Sequence, residues 1–311
     1  MIPPNYEMSI NSGQMFLWEK FNDTWYGVYG DHILKFYAPK YNRQDVMANS
    51  ENDKNTVKLF SYPEFKDCER HIFRLDDNIR NILSSLSKDR VVSETIIKYP
   101  GLRLMRQDPH QCIFSFVCSS NTNISMIRRM LKNLSRKFGN KIFIDGNEFY
   151  TFPKAESVNK ASIGELISCG LGYRAKAVKS VAQSIASGIL DINLLLKDSY
   201  EVAKQELMKI YGVGNKIADC ILLFSLEKLE AFPIDVWISR AIFQHYNWLS
   251  YNNNNNNEVQ YIKGNIIRGG KITSYQYKIL SEAIRDYFGR YSGYAQQYLY
   301  YDIRHSAGKK W

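Results

Sequence analysis

The chain has no pair of cysteines spaced as CxxC: its five cysteines, Cys68, Cys112, Cys118, Cys169 and Cys220, are odd in number and dispersed. That pattern argues against a disulfide framework and against a zinc site, and it fits a reducing compartment. Histidines are as sparse, with His32, His71, His110, His245 and His305 scattered, so a metalloenzyme is disfavoured. No stretch approaches the run of about eighteen apolar residues that a membrane span needs. The opening residues, MIPPNYEMSINSGQMF, lack a basic segment followed by an apolar one. A soluble intracellular protein is expected, with cytoplasm and nucleus not distinguished. Acidic side chains are also in short supply, 31 against 41 basic ones, for a net charge of +10. Such a balance favours a polyanionic partner, nucleic acid first, although charge alone fits a basic protein that is merely soluble.

What is present suffices for a real core: 311 residues, 45% of them hydrophobic, make one large domain or two ordinary ones. Residues 14–37, QMFLWEKFNDTWYGVYGDHILKFY, are rich in aromatic and β-branched residues and broken by NDT and GD, which predicts two or three antiparallel strands. Residues 39–55 are polar and turn-rich, a surface link. From about residue 108 the spacing becomes helical. In NISMIRRMLKNLSRKFG, Ile124, Ile127, Leu131, Leu134 and Phe138 form the apolar stripe, with Asn123 as cap and Gly139 as stop. Arg128, Arg129, Lys132, Arg136 and Lys137 fill the other faces, more in keeping with a solvated surface than with DNA contacts. A second helix is expected from about Tyr173 to Ser187, burying Val178, Val181, Ala182 and Ile185 and stopping at Gly188. The asparagine run at 252–257 reads as a loop tip without a packing role. No fixed-period repeat is apparent.

The chemistry concentrates in KQELMKIYGVGNKIADCILLFSL, a helix, a tight turn with Gly212 and Gly214, and a second helix starting near Asn215. Glycines in such a turn let successive N–H groups converge on a phosphate at the positive end of the second helix. The same turn serves equally as a plain structural element or as a noncatalytic clamp on DNA. Lys216 and Asp235 add to it. The N-terminal end of a helix favours the neutral form of an amine, and a neutral amine is a nucleophile able to form a Schiff base. Asp235, in FPIDVWISRAI, sits where it caps the next helix and aims its carboxylate toward the hairpin; a cap alone is its plainer reading. Breaking an N-glycosidic bond develops oxocarbenium character that a carboxylate stabilises while an amine attacks the anomeric carbon.

Around these residues the chain resembles the 8-oxoguanine DNA glycosylase/AP lyase family of the helix-hairpin-helix DNA glycosylase superfamily. The likeness is carried in order by SGQMFLWE (12–19), RLMRQDPHQCIFSFVCSSNTNI (103–124), DGNEFYTFP (145–153), GLGYRAK (170–176), GVGNKIADC (212–220), PIDVW (233–237) and FGRYSGYAQQYL (288–299). The resemblance implies an α+β fold: a small N-terminal antiparallel sheet domain, 1–107, packed on a mainly α-helical catalytic region, 108–311, with the hairpin at about 203–226. It also implies removal of 8-oxoguanine from duplex DNA with AP lyase activity by β-elimination, the damaged base being extruded. Lys216 and Asp235 match the catalytic pair. Gly13 matches the residue whose carbonyl accepts the N7 hydrogen that 8-oxoguanine has and guanine lacks, Gln296 the amide on the Watson–Crick edge, and Cys220 and Tyr300 the residues that sandwich the base. Asn121 matches the residue that fills the vacated space, Tyr173 the wedge beside it and Arg174 a contact to the opposite base; Gly212, Gly214 and Trp237 are the expected backbone contacts.

Two positions depart from the animal-type pattern. Met126 stands where a second arginine is found and cannot donate a hydrogen bond, so relaxed opposite-base preference is expected. Trp237 stands where a histidine is common, as it does in bacterial-type members, which alters the phosphate contact there. The expected partner is double-stranded DNA containing oxidised guanine, bound by a monomer with no membrane involved. No cofactor is expected, with room for a structural monovalent or divalent cation at the hairpin. The alternatives are a glycosylase/lyase for another oxidised base and a noncatalytic helix-hairpin-helix DNA-binding protein. Endonuclease III-like relatives are disfavoured because no cluster of four cysteines follows Asp235, and alkyl-purine glycosylases because they lack the lysine.

Overall fold

A computed structural model of the chain describes residues 3–37, 59–246 and 272–308. The expected link at 39–55 and the asparagine run lie outside the described residues. Four antiparallel strands form one sheet in the order of the chain: β1 (Trp18–Phe21), β2 (Thr24–Tyr29), β3 (His32–Tyr37) and β4 (Leu59–Tyr62). The first three are the strands the aromatic pattern predicts. Two-residue turns join them, with Asn22 and Gly30 supplying the positive φ that such tight hairpins require. The fourth, short and half exposed, was not read from the sequence. A small hairpin, β5 (Lys141–Ile144) and β6 (Asn147–Tyr150), interrupts the region expected to be mainly helical. Its turn is Asp145–Gly146, both at positive φ, a hairpin signal that the helical spacing on either side obscured.

The basic helix spans Ile124–Phe138, with Asn123 accepting from Met126 N at 3.0 Å and Gly139 at its end. The second expected helix runs Ala175–Ala186, one 3-10 turn (Gly172–Arg174) later than predicted; Val178, Val181 and Ala182 are buried and Ile185 half-buried. No helix among the described residues is long and apolar enough to cross a membrane.

Two large apolar clusters meet where the sheet joins the helices. Tyr6, Trp18, Trp25, Phe36, Phe73 and Met105 pack in the sheet's own cluster, while the larger one runs from Phe16 to Tyr301 and takes in the helices Ile79–Leu86 and Arg90–Lys98. The SGQMFLW segment supplies both, sending Met15 and Trp18 to one and Phe16 and Leu17 to the other. Gly13 therefore sits at the junction. An ionic seam crosses the same boundary. The fully buried Arg74 reaches Glu227 at 2.7 Å, and Arg106 reaches Asp76 at 2.7 Å and Glu227 at 2.9 Å. These contacts tie the end of the hairpin's second helix to the segment below the sheet.

Candidate active site

The hairpin consists of an entry helix (Tyr200–Met208), the GVG turn, and a lysine helix (Asn215–Ser225) with Gly214 at its N-cap. Gly212 has φ +90°, and a Cβ there would lie 2.4 Å from the Cβ of Ala177, so both conformation and packing call for glycine. Every residue of the lysine helix after Lys216 is buried, which fixes the helix firmly in the core and leaves its first turn at a cavity wall.

That cavity has a volume of about 910 Å³ and is walled by the lysine helix, the residues around Asp235 and the junction. Lys216, Asp235, Gly13, Cys220, Gln296, Tyr300, Asn121, Gly214 and Trp237 all line it. Tyr173, Arg174 and Gly212 do not; they stand behind the turns that do. The volume lies in the range of sites that enclose a small organic ligand.

Lys216 Nζ donates to Ser119 Oγ at 3.4 Å and lies 5.3 Å from the ring centroid of Phe116, which in turn stacks on Phe224. Asp235 caps the aspartate helix (Val236–His245): its Oδ1 accepts from Trp237 N at 2.9 Å and Ile238 N at 2.8 Å. Its Oδ2 takes no hydrogen bond from any described residue. Burial pushes the Asp235 carboxyl above the ordinary carboxylate range; the two amides and the nearby Lys216 ammonium pull the other way without cancelling it. The cap expected from the sequence and a place on the cavity wall are thus the same geometry.

The other cavity residues divide by what their polar atoms do. Gln296 is buried, and its Nε2 donates to Pro233 O at 3.2 Å while its Oε1 has no partner. A buried acceptor left open on a cavity wall costs stability unless a ligand supplies the donor. Cys220 lies against Lys216, and burial pushes its thiol up to about 12, so it stays a neutral sulfur surface. Burial likewise pushes the Tyr300 phenol up, with Asp235 adding to the shift.

Gly13 has φ +80° and is held in place from both sides. Gln297 Nε2 donates to Ser12 O at 3.3 Å, and Gln107 Nε2 to Gln14 O at 2.6 Å. Gln14 itself donates to Arg103 O at 2.8 Å and accepts from Met105 N at 2.8 Å. Three buried glutamine side chains thus brace the loop through four hydrogen bonds.

On the opposite wall Asn121 sits at φ +48° in the turn between two helices. Arg174 Nε donates to Ser120 O at 2.9 Å and its Nη2 to Asn121 O at 3.2 Å, while Tyr173 OH reaches Ser120 O at 3.1 Å. Arg174 also lies 4.5 Å from the centroid of the Tyr173 ring, which is largely exposed. Both side chains therefore brace the Asn121 turn.

Sequence reasoning missed Ser119, Tyr277 and Arg304, which also line the cavity. Arg304 lies 5.6 Å from the Trp237 ring centroid and 5.8 Å from that of Tyr300, with Arg240 5.0 Å from Trp237 as well. Nothing in local spacing marks these residues; they come from segments that meet only in the fold. No group of three or more His, Cys, Asp or Glu able to hold a metal occurs among the described residues.

Comparison with known proteins places this geometry. Residues 4–113 match the 8-oxoguanine DNA glycosylase N-terminal domain, and residues 114–262 match the HhH-GPD superfamily of base excision DNA repair proteins. An N-glycosylase/DNA lyase of Saccharomyces cerevisiae is 28% identical across 94% of this chain and 81% of its own length. A probable N-glycosylase/DNA lyase of Methanothermobacter thermautotrophicus is 33% identical across 55% of this chain and 61% of its own. Among solved structures, the Clostridium acetobutylicum 8-oxoguanine glycosylase/lyase, in complex with double-stranded DNA containing cytosine opposite 8-oxoG, superposes with a TM-score of 0.79 at 26% identity, covering 98% of this chain and 93% of that one. The chain belongs to the 8-oxoguanine DNA glycosylase/AP lyase family, within the helix-hairpin-helix superfamily of base-excision repair proteins.

Proposed function

We propose that this protein excises 8-oxoguanine from duplex DNA and then cleaves the abasic strand by β-elimination. The observation that carries the reading is the convergence of Lys216 and Asp235, nineteen residues apart in sequence, on one cavity large enough for an extruded purine nucleotide.

In the first step Lys216 gives its ammonium proton to water, and the freed Nζ lone pair bonds to C1′ as the C1′–N9 bond breaks, that bond's electron pair leaving with the base. The proton released from the new ammonium neutralises the departing base. Asp235, ionised, stabilises the positive charge that develops on the sugar. The nitrogen lone pair then breaks C1′–O4′, O4′ taking a proton from water, to give the protonated imine of Lys216; water takes the acidified C2′ proton, and the electron pair left behind forms the C2′=C3′ bond as the 3′ phosphate departs. Gly13 O accepts the N7 hydrogen of the oxidised base, and Gln296 Oε1, the open acceptor, takes a donor from its Watson–Crick edge. Cys220 and Tyr300 flank the ring. Guanine would set a lone pair against the Gly13 carbonyl, turning one attraction into a repulsion.

The protein acts as a monomer, with Asn121 entering the vacated space in the duplex and Tyr173 wedged beside it. Met126, 38% exposed on the first turn of the basic helix, offers no donor to the opposite base, so excision is expected opposite all four bases. Borohydride trapping on 8-oxoguanine duplexes tests the core of the reading: wild type forms a covalent complex and Lys216→Gln forms none. Excision measured opposite each base tests the rest, since processing of the cytosine pair alone refutes the relaxed preference.

A further inference from the structure

Directly behind the reactive cavity lies a second polar cluster that the chemistry above does not use. Asp219, on the lysine helix three residues past Lys216, is completely buried. Its Oδ1 accepts from Tyr200 OH at 2.6 Å and is 2.9 Å from Lys204 Nζ. Its Oδ2 accepts from Lys204 Nζ at 3.0 Å and from Tyr277 OH at 2.6 Å. Tyr277 comes from the helix Ser274–Phe288, and its hydroxyl oxygen accepts in turn from Ile234 N at 3.1 Å. Ile234 immediately precedes Asp235. A continuous path therefore runs from the helix that carries Lys216, through a carboxylate and a phenol, to the backbone next to Asp235.

We propose that Tyr277 is a positioning residue for excision: its hydroxyl, oriented by Asp219, fixes the Pro233–Asp235 segment so that the Asp235 carboxylate meets the sugar held at Lys216. The proposal rests on the roles given above to Lys216 and Asp235. Two features favour positioning over mere stability. Among the described residues the Tyr277 hydroxyl alone hydrogen-bonds both Asp219 and the aspartate loop, whereas Tyr200 and Lys204 bond Asp219 and make no hydrogen bond to that loop. Tyr277 also lines the cavity, so the constraint acts where reacting groups must align. Misplacement of a reacting group by about 1 Å costs on the order of a hundredfold in rate.

The test exploits the separation of the two chemical steps. Asp235 supports base loss, whereas imine formation on an abasic site already lacking its base needs Lys216. Tyr277→Phe removes one hydroxyl and keeps the ring. Its excision of 8-oxoguanine is expected to fall about tenfold or more, while borohydride trapping on preformed abasic DNA stays within about twofold of wild type. Tyr200→Phe serves as the matched control, since it removes an equally short hydrogen bond to the same carboxylate but none to the loop. It is expected to leave the ratio of excision to trapping unchanged, whatever it does to the melting temperature. Equal losses in both activities for Tyr277→Phe, or a ratio shifted as much by Tyr200→Phe, overturn the proposal. A wild-type protein that excises no 8-oxoguanine fails the functional reading instead, and the two failures are distinct.

Discussion

The buried cluster around Asp219 and the cavity around Asp235 hold the same side chain in opposite states of completion. Both carboxyls are pushed above the ordinary range by burial. Asp219 accepts from two phenols and a lysine, so both oxygens are closed on protein. Asp235 closes only Oδ1, on two helix amides, and presents the rest of the carboxylate to the cavity. Two neighbouring glutamines repeat the contrast: Gln297 braces the Gly13 loop, and Gln296 keeps an unpartnered oxygen at the cavity. Asp219 and Gln297 are satisfied by the fold, whereas Asp235 and Gln296 each turn an open oxygen to the cavity, where the proposed substrate would supply a partner.

The largest effects separate the two aspartates. Asp235→Asn is expected to reduce excision by about 10²–10³, the scale of losing a preorganised charge in a transition state. Its stability should hardly change, because asparagine caps a helix as well as aspartate does. Asp219→Ala should do the reverse in emphasis. It strands the Lys204 cation, and breaking a buried pair by removing one partner costs about 3–5 kcal/mol. Chemical denaturation alongside single-turnover excision checks both. If Asp235→Asn unfolds the protein as badly as Asp219→Ala, the distinction between a closed and an open carboxylate collapses.

The glutamines should show a smaller version. Gln296→Ala removes the open acceptor and also the Nε2 bond to Pro233 O, so it should cost about 1–2 kcal/mol of stability and in addition lower kcat/KM for 8-oxoguanine about tenfold, the worth of a buried hydrogen bond to the base. Gln297→Ala leaves Ser12 O unpaired in the core and should cost about 1–2 kcal/mol of stability. Denaturant midpoints and steady-state kinetics on the same preparations decide between these outcomes. An unchanged kcat/KM for Gln296→Ala would show that its open oxygen does not meet the base.

Much of this was legible before the fold was known, and unevenly so. The three aromatic strands, the basic helix with its Asn123 cap, and the glycine turn before Lys216 each depend on local spacing, which sequence displays directly. Asp235 was legible as a cap. Its second task needed the motif likeness, because a cap has the same sequence whatever its free oxygen faces. Tyr277, Ser119 and Arg304 were not legible at all. Tyr277 lies 58 residues from Asp219, and a lone tyrosine in an amphipathic helix looks like any core residue. The brace on Gly13 was hidden likewise, since Gln14, Gln107 and Gln297 read as ordinary polar residues until the fold buries them together.

The smallest expected effect concerns pH and sharpens the contrast furthest. Because burial raises the Asp235 carboxyl in the folded protein, the folded state binds its proton more tightly than the unfolded chain does. The group's contribution to stability is therefore fully present below its unfolded pKa and is lost as pH rises through the folded one. At neutral pH the ionised carboxylate is a net burden on folding, which asparagine does not carry. Asp235→Asn should consequently melt at or slightly above wild type near neutrality, with the advantage shrinking to nothing as pH falls below the ordinary carboxylate range. Activity must move in the opposite sense, since only the ionised form supports the sugar cation: excision by wild type should decline on the acid side at a higher pH than an unperturbed aspartate would give. Thermal melts of both proteins against pH, set beside the acid limb of excision, check the two halves together. A melting advantage that grows toward acid would mean that the carboxyl is lowered by its amides and by Lys216, and that the cavity stabilises the charge it was inferred to strain.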